Sequence, residues 1–130
     1  QAAFLSAKLP HLERMNAERR RIADRYLAEV HNEQIVLPYV LPGTEPVWHI
    51  FAVRCQKRDE LTAYLAEKGI STNKHYPIPI HLQGAYASLH IPQGALPIAE
   101  EISATQLSLP MYYGMTDNEV SYVIDALNAF

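Results

Sequence analysis

The chain has 130 residues, of which 48% are hydrophobic and 19% are charged, and its formal net charge is −3. These values are typical of one globular domain, and a domain of this length buries roughly two-thirds of the surface that its unfolded chain exposes. The small negative charge gives no electrostatic basis for binding nucleic acid or an anionic membrane surface, so we expect neither class of partner.

The first part of the chain is predicted to be helical up to about residue 30. Its apolar residues fall at three- and four-residue steps: Leu5, Leu9, Leu12, Met15, Ile22, Tyr26 and Val30. Pro10 interrupts the pattern, and we expect it to begin a second helix after a kink. The first helix has more apolar positions than one buried stripe requires, so we expect part of it to be exposed.

A group of four arginines lies in the second helix: Arg19, Arg20, Arg21 and Arg25. Such a group could bind phosphate, but acidic residues are interspersed among the arginines. The mixed pattern favours a solvated helix face.

The middle of the chain alternates between extended and helical patterns. His31–Pro46 has three prolines and a glycine and predicts an extended connection with turns. Val47–Cys55 is apolar on both of its alternating faces, which predicts a central strand. Lys57–Lys68 is predicted to be a helix that ends at Gly69, and Ile70–Tyr76 is predicted to be a second strand.

The last third predicts a short helix at Leu82–Leu89, a helix at Leu96–Gln106, a brief strand at Leu107–Leu109 and a final helix. Thr116 with Glu119 three residues later is the pattern of a capping box, which marks the start of that final helix. Its expected buried stripe is Val120, Val123, Ile124 and Leu127. The fold class is therefore α+β: a small two-layer sandwich with about three strands in a largely antiparallel sheet, and helices packed on it.

Polar side chains are concentrated in the proline-rich segment from Thr72 to Gln83. Within it, His75, Tyr76, His81 and Gln83 could donate hydrogen bonds to an anionic or hydroxyl-rich ligand. The alternative is that both histidines are ordinary surface or core residues. A metal site is not expected, because two prolines separate the histidines and few other ligands lie nearby.

Cys55 is the only cysteine in the chain. It cannot form an internal disulfide, and its predicted strand is apolar, so nothing there would activate a thiolate nucleophile. We expect it to be a small buried hydrophobic residue, in keeping with a reducing cytoplasm. No apolar run approaches the ~18 residues of a membrane span.

The order and spacing of many short motifs resemble the carboxy-terminal domain of the DegT/DnrJ/EryC1/StrS sugar aminotransferases. The resemblance covers nearly the whole chain. The motifs are Gln1-Ala2-Ala3, Arg20-Arg21-Ile22-Ala23, Val47-Trp48-His49-Ile50-Phe51, Arg58-Asp59, Gly69-Ile70, His75-Tyr76-Pro77, His81-Leu82-Gln83, Leu107-Ser108-Leu109-Pro110 and Met115-Thr116. Each motif is short, and it is their succession that carries the resemblance.

This resemblance implies a pyridoxal-phosphate enzyme that transfers an amino group, with glutamate as the expected donor, to a keto-deoxyhexose linked to a nucleoside diphosphate. It also implies a cytoplasmic homodimer that serves deoxysugar biosynthesis for cell-surface polysaccharides. By their place in the matched motif, His75 and Tyr76 are expected to face the sugar nucleotide. His81 and Gln83 join them as candidate substrate-binding residues, whereas Ser108 is expected to be structural. The run from His75 to Gln83 is most similar to the branch that aminates the sugar at C3.

The family's catalytic lysine forms a Schiff base with the cofactor and lies in a large amino-terminal domain without a counterpart here. The lysines of this chain are Lys8, Lys57, Lys68 and Lys74, and none lies in that motif. We therefore expect residues 1–130 to be one carboxy-terminal small domain, a fragment of a longer enzyme, that is inactive alone and does not hold pyridoxal phosphate by itself. The alternative is a non-catalytic ligand-binding or interaction module.

Overall fold

The computed structural model describes all residues from Gln1 to Phe130. Its helices are α1 (Ala2–Lys8), α2 (Leu12–Glu29), α3 (Arg58–Glu67), α4 (Pro97–Thr105) and α5 (Asp117–Asn128). Its strands are β1 (Ile35–Val36), β2 (Phe51–Cys55) and β3 (Gln106–Leu109). Short 3₁₀ turns lie at Leu9–His11, Ile80–Leu82 and Gly84–Leu89. Pro10 lies in the first of these turns, between α1 and α2, as the proline predicted.

The three strands form one antiparallel sheet in the order β1-β2-β3. Phe51 of β2 lies opposite Leu109 of β3, and Cys55 of β2 lies opposite Ile35 of β1. Phe51, Val53 and Cys55 are buried, as expected of alternate residues in a central strand. The predicted fold class is confirmed, and so is the burial of Cys55.

Helices α2, α3 and α5 cover one face of the sheet and share a single hydrophobic core with it. Tyr26 of α2 packs on Phe51 with ring centroids 5.1 Å apart, and its hydroxyl donates to the carbonyl of Pro110 at 2.9 Å. The fully buried large side chains are Tyr26, Phe51, Ile22, Leu61, Leu65, Leu107, Leu127, Val53 and Val120. These residues come from all three helices and two strands, so the core holds every one of these elements in place.

The capping box at the start of α5 is confirmed. The Thr116 hydroxyl accepts from the Glu119 backbone amide at 3.3 Å, and the Glu119 carboxylate accepts from the Thr116 backbone amide at 2.7 Å. Two amides that the helix itself leaves unpaired are thereby satisfied. The predicted stripe of Val120, Val123, Ile124 and Leu127 is buried.

The predicted strand at Ile70–Tyr76 is wrong. Only Asn73 pairs with the sheet, through a single antiparallel bridge to Ser108 of β3. Tyr76 has a φ of +54°, and a left-handed residue cannot continue a strand. For the same reason β2 begins at Phe51 and not at Val47, because Trp48 has a φ of +50°. The two-residue strand β1 lies inside His31–Pro46, for which the sequence predicts an extended connection with turns and no strand.

The arginines of α2 do not form a freely solvated face. Arg21 and Arg25 both pair with Asp117, the first residue of α5, and Arg25 also donates to Ser121 at 2.9 Å. The Arg19 guanidinium donates to the carbonyls of Trp48 and Met111 at 3.3 and 3.2 Å. Each contact joins α2 to a distant segment, because the fold brings α5 and the segments before β2 and after β3 alongside this helix.

Two parts of the molecule lie outside the core. Helix α1 has no buried residue, and Phe4 is 78% exposed, so the expected exposure of this helix is confirmed. The second part is residues 76–102, which we call the arm; it runs from Tyr76 through both later 3₁₀ turns into α4. Many of its apolar side chains are exposed, among them Ile78, Ile80, Leu89 and Ile98.

Candidate functional site

The face of the sheet opposite the helical core carries small and polar side chains. Pairing of β2 with β3 sets Ala52 beside Ser108 and Arg54 beside Gln106. Because side chains alternate along a strand, these four point away from the core residues Phe51, Val53, Leu107 and Leu109. Helix α4 contacts this face through the ion pair between Arg54 and Glu101, whose closest atoms are 3.2 Å apart. Part of the face is left open to solvent.

A cleft of about 390 Å³ lies on this open face. It is lined by Val36, Leu37, Pro38, Ala52, Arg54, Tyr76, Ile102, Ser103 and Gln106. Its volume falls at the lower end of the range of small-molecule sites, and its mixture of apolar walls with a few polar groups is typical of such sites. Arg54 is the one charged residue in the lining, so the cleft suits a partly anionic ligand.

His75 lies beside this cleft and is held by hydrogen bonds at both ring nitrogens. Backbone hydrogen bonds between Asn73 and Ser108, of 3.1 and 2.8 Å, bring the segment against β3. The Nδ1 atom of His75 then lies 2.8 Å from the Ser108 hydroxyl oxygen, and Nε2 lies 3.1 Å from the Asn73 amide nitrogen. The Gln106 amide donates to the same Ser108 hydroxyl at 3.3 Å. His75 is thus connected to the cleft through Ser108 and Gln106.

Tyr76 projects from the segment into the cleft lining and is 80% exposed. Its backbone has a φ of +54°, which is uncommon for a residue with a bulky side chain and costs of order 1–2 kcal/mol. Surrounding structure must compensate for that cost, and backbone strain of this kind concentrates at functional sites. An exposed, strained tyrosine at the mouth of a cleft is therefore a strong candidate for ligand contact.

His81 is placed differently, because it is only 8% exposed and points into the body of the arm. Its Nε2 lies 3.0 Å from a carboxylate oxygen of Glu100, which also accepts from the backbone amides of Gly94 at 2.9 Å and Leu96 at 3.2 Å. These hydrogen bonds, chiefly that from Gly94, hold the pKa of Glu100 below its usual value. His81 and Glu100 therefore tie the two ends of the arm together.

Gln83 also makes a contact within the arm, since its side-chain amide donates to the carbonyl of Ile78 at 3.1 Å. Neither Gln83 nor His81 lines the open-face cleft. The structure thus brings His75 and Tyr76 to the cleft and places His81 and Gln83 in contacts that shape the arm. The sequence left two alternatives for each histidine, a ligand-binding residue or an ordinary surface or core residue. The second alternative fits His81 better than His75, because His81 is buried within the arm.

The residues that join His75 and Tyr76 at the site are Asn73, Ser108, Gln106 and Arg54. The sequence predicts none of these four as a site residue, and it predicts a structural role for Ser108. One signal was available for Ser108, a polar residue between two leucines in a short strand, which points it away from the core. No local pattern shows that this serine faces a histidine 33 positions earlier.

No group of three or more His, Cys, Asp or Glu side chains could hold a metal ion. None of the helices combines the length and the apolar character that crossing a membrane requires. Trp48 packs on Phe51 with ring centroids 5.1 Å apart and so serves the core.

Comparison with known proteins gives consistent matches. A model of the DegT/DnrJ/EryC1/StrS aminotransferase family matches residues 1–128. A "pleiotropic regulatory protein" from Geobacillus stearothermophilus is 41% identical over all of this chain and 36% of its own length. A "dTDP-3-amino-3,4,6-trideoxy-alpha-D-glucose transaminase" from Streptomyces venezuelae is 43% identical over 98% of this chain and 34% of its own length. The chain therefore spans about a third of the curated relatives that it matches.

Solved structures agree with these matches. The crystal structure of S. venezuelae DesV in complex with a ketimine intermediate superposes with a TM-score of 0.95 at 42% identity. That match covers 99% of this chain and 35% of the DesV chain. A structure described as a DegT DnrJ EryC1 StrS aminotransferase from Brucella abortus superposes with a TM-score of 0.91 at 32% identity, over 100% of this chain and 35% of that one.

Proposed function

This chain belongs to the DegT/DnrJ/EryC1/StrS aminotransferase family, and we propose that it is the substrate-facing, carboxy-terminal small domain of a longer pyridoxal-phosphate-dependent nucleotide-sugar aminotransferase. One observation carries the proposal: Tyr76 and Arg54 line one open cleft, beside His75, in a chain that matches an aminotransferase family along nearly its whole length.

The proposed substrate is a keto-deoxyhexose linked to a nucleoside diphosphate, aminated at C3. The S. venezuelae relative is named for a dTDP-linked 3-amino sugar, which supports this substrate class. We further propose that the amino donor is glutamate and that the enzyme is a homodimer. We place it in the cytoplasm, in deoxysugar biosynthesis for cell-surface polysaccharides. These parts of the proposal rest on the resemblance to the family.

The cleft offers matching chemistry for such a ligand. The Arg54 guanidinium is 40% exposed and only partly neutralised by Glu101, so it can meet a diphosphate oxygen. The Tyr76 hydroxyl can donate to a phosphate or sugar oxygen. Apolar side chains of Leu37 and Ile102 line the same cleft and can pack against the less polar faces of the ligand. His81 and Gln83 would support substrate binding only indirectly, by shaping the arm.

The lysines of this chain do not fit a pyridoxal-phosphate site. Lys74 pairs with Asp59 at 2.6 Å, Lys68 lies over the Tyr64 ring, and Lys8 and Lys57 are exposed. None of the four lines the open-face cleft. A lysine that binds the cofactor covalently needs an enclosing cleft that can lower its pKa. We therefore propose that the cofactor is held by a part of the enzyme outside these 130 residues.

The proposal is tested by replacing Tyr76 with phenylalanine in the longer enzyme and measuring each half-reaction by stopped flow. A hydrogen bond to a charged group contributes roughly 1.5–3 kcal/mol, so we expect kcat/KM for the sugar nucleotide to fall about ten- to a hundredfold. The half-reaction with the amino donor should be unchanged. His75→Ala should have the same selective effect.

The matched control is Tyr86→Phe, because Tyr86 is an exposed tyrosine of the arm that does not line the cleft. We expect it to leave both half-reactions unchanged. Equal losses in both half-reactions for Tyr76→Phe, or losses that parallel a fall in thermal stability, would show that Tyr76 is structural and would refute the proposal.

A regulatory module that binds a ligand without catalysis is the second candidate, and the name of the G. stearothermophilus relative favours it. The same experiment separates the two. A longer protein that binds sugar nucleotide through the cleft but transfers no amino group would support the regulatory module.

A further inference from the structure

Ser108 is the most deeply buried polar group next to the candidate site. It is 4% exposed, and its hydroxyl oxygen lies 2.8 Å from His75 Nδ1 and 3.3 Å from the Gln106 amide nitrogen that donates to it. We infer that Ser108 is a positioning residue that, together with Asn73, fixes the orientation and the tautomer of His75. The inference rests on the proposed function in one respect only, namely which group of the ligand forms a hydrogen bond with His75.

The tautomer follows from the partners of the two ring nitrogens. The Asn73 side-chain nitrogen, 3.1 Å from Nε2, can only donate, so Nε2 accepts and carries no proton. The ring proton then lies on Nδ1 and is donated to the Ser108 hydroxyl oxygen. Gln106 donates to the same oxygen, which leaves the serine proton free to point elsewhere. The donation from Asn73 to Nε2 therefore places the ring proton on Nδ1, and the Ser108 hydroxyl oxygen is its acceptor.

The two ends of the ring differ in exposure. The hydrogen bond to Ser108 is part-buried, and its partner belongs to a strand of the sheet. The hydrogen bond to Asn73 is exposed, and Asn73 itself is an exposed residue. A ligand can thus replace the Asn73 amide while the Ser108 contact persists.

An unprotonated Nε2 selects the kind of ligand group that it can meet. It accepts a hydrogen bond from a hydroxyl but has nothing to donate to an ionised phosphate oxygen. We therefore assign a sugar hydroxyl, and not the diphosphate, as the partner of His75. The diphosphate is left to Tyr76 and Arg54.

The tautomer is measured by long-range ¹H–¹⁵N NMR spectra of the His75 ring in this chain. We expect the Nδ1-protonated form in the unmodified protein. Ser108→Ala removes the acceptor of the Nδ1 proton, and the exposed Asn73 amide can then turn its oxygen toward Nε2, so we expect a shift toward the Nε2-protonated form. Ser108→Thr should keep the original pattern because it retains the hydroxyl. Ser88→Ala, at an exposed serine of the arm, is the matched control and should change nothing. An Nε2-protonated ring in the unmodified protein, or an unchanged ring in Ser108→Ala, would overturn the inference.

The ligand group is tested by adding thymidine diphosphate and its glucose conjugate separately to the longer enzyme. His75→Ala should weaken binding of the glucose conjugate about five- to tenfold and leave binding of thymidine diphosphate unchanged. Ser108→Ala should weaken binding of the conjugate in the same direction, and Ser108→Thr should restore it. Equal weakening of both ligands by His75→Ala would overturn the assignment to a sugar hydroxyl.

Failure of the inference and failure of the proposed function give different results. If Ser108→Ala shifts the tautomer but His75→Ala and Tyr76→Phe both leave sugar-nucleotide use intact, the proposed function is wrong and the positioning of the ring stands. If His75→Ala impairs sugar use while Ser108→Ala changes neither the tautomer nor binding, the positioning role is wrong and the proposed function stands.

Discussion

The helical core and the arm of residues 76–102 are both rich in apolar side chains but bury them very differently. Leu65 and Leu127 of the core are fully buried, whereas Leu89 of the arm is 59% exposed. His81 is the one buried residue of the arm, and it is polar. Apolar composition alone therefore does not decide burial in this chain.

The two regions also owe their shape to different forces. In the core, three helices face the sheet and each excludes water from the other layer. Before α4 the arm has no such layer opposite it within these residues. Its course is set by prolines and by hydrogen bonds that involve His81, Gln83 and Glu100. We infer that packing sustains the core, and that a few polar contacts sustain the arm that leads away from Tyr76.

The largest expected effect is that of a core truncation. Leu65→Ala should lower the free energy of unfolding by about 2–5 kcal/mol, because it leaves a cavity among residues that cannot fully close around it. Leu89→Ala removes the same atoms from an exposed site in the arm and should cost less than about 0.5 kcal/mol. Denaturant unfolding followed by circular dichroism measures both. Similar losses for the two variants would mean that the arm is packed as tightly as the core.

A smaller effect is expected at the start of α5. Thr116→Ala removes a hydroxyl that accepts from the Glu119 amide and should lower the free energy of unfolding by about 1 kcal/mol. Thr44→Ala is the control, because the Thr44 hydroxyl bonds only to the carbonyl of Leu41 in an exposed turn. The same denaturation experiment applies. Equal costs for the two threonines would show that the capping box contributes nothing beyond an ordinary turn contact.

A change confined to the arm is expected from Glu100→Gln. The amides of Gly94 and Leu96 now donate to a carboxylate and would donate to a weaker neutral acceptor, so their hydrogen exchange should become faster. The midpoint of global unfolding should hardly move. Glu101→Gln, one residue further along, alters the pair with Arg54 and should leave those two amides unchanged. A global loss of stability without faster local exchange would contradict the separation of arm and core.

The smallest effect is a pH dependence of the arm. The hydrogen bond from the Gly94 amide, with those from Leu96 and His81, lowers the pKa of Glu100 below its usual value of 4.5. A carboxyl group whose pKa is lowered by folding stabilises the folded arm above that usual value, and the stabilisation is lost as the pH falls through the lowered pKa.

Amide chemical shifts followed through an acid titration measure this dependence. The Gly94 and Leu96 signals should move with a midpoint below pH 4.5, while the signals of the buried residues Phe51 and Val53 of β2 keep their positions. The Thr116 amide offers a comparison, because its hydrogen bond lowers the pKa of Glu119 in the same way. A Gly94 midpoint at or above 4.5 would show that the carboxylate does not hold the arm.

Much of the core could be predicted from the sequence because its signals are local. The stripe at Val120, Val123, Ile124 and Leu127 repeats at the helical period, and Thr116 with Glu119 closes a capping box within one turn. Both depend on residues three or four apart, which the chain brings together whenever the helix forms. The same holds for α3, and for the breaks at Pro10 and Gly69.

The candidate site was predicted in part, since the motif pointed to His75 and Tyr76 but could not reveal their partners. Ser108 meets His75 only because β3 pairs with β2 in one register and Asn73 bridges to the outer edge of β3. His81 is buried because the chain folds back and places Glu100, 19 positions later, within hydrogen-bonding distance of its ring. The sequence by itself determined the main helices, the cap of α5 and the family. Tertiary structure decided which polar side chains meet, because a contact between distant residues depends on strand register and loop closure, and no local period records either.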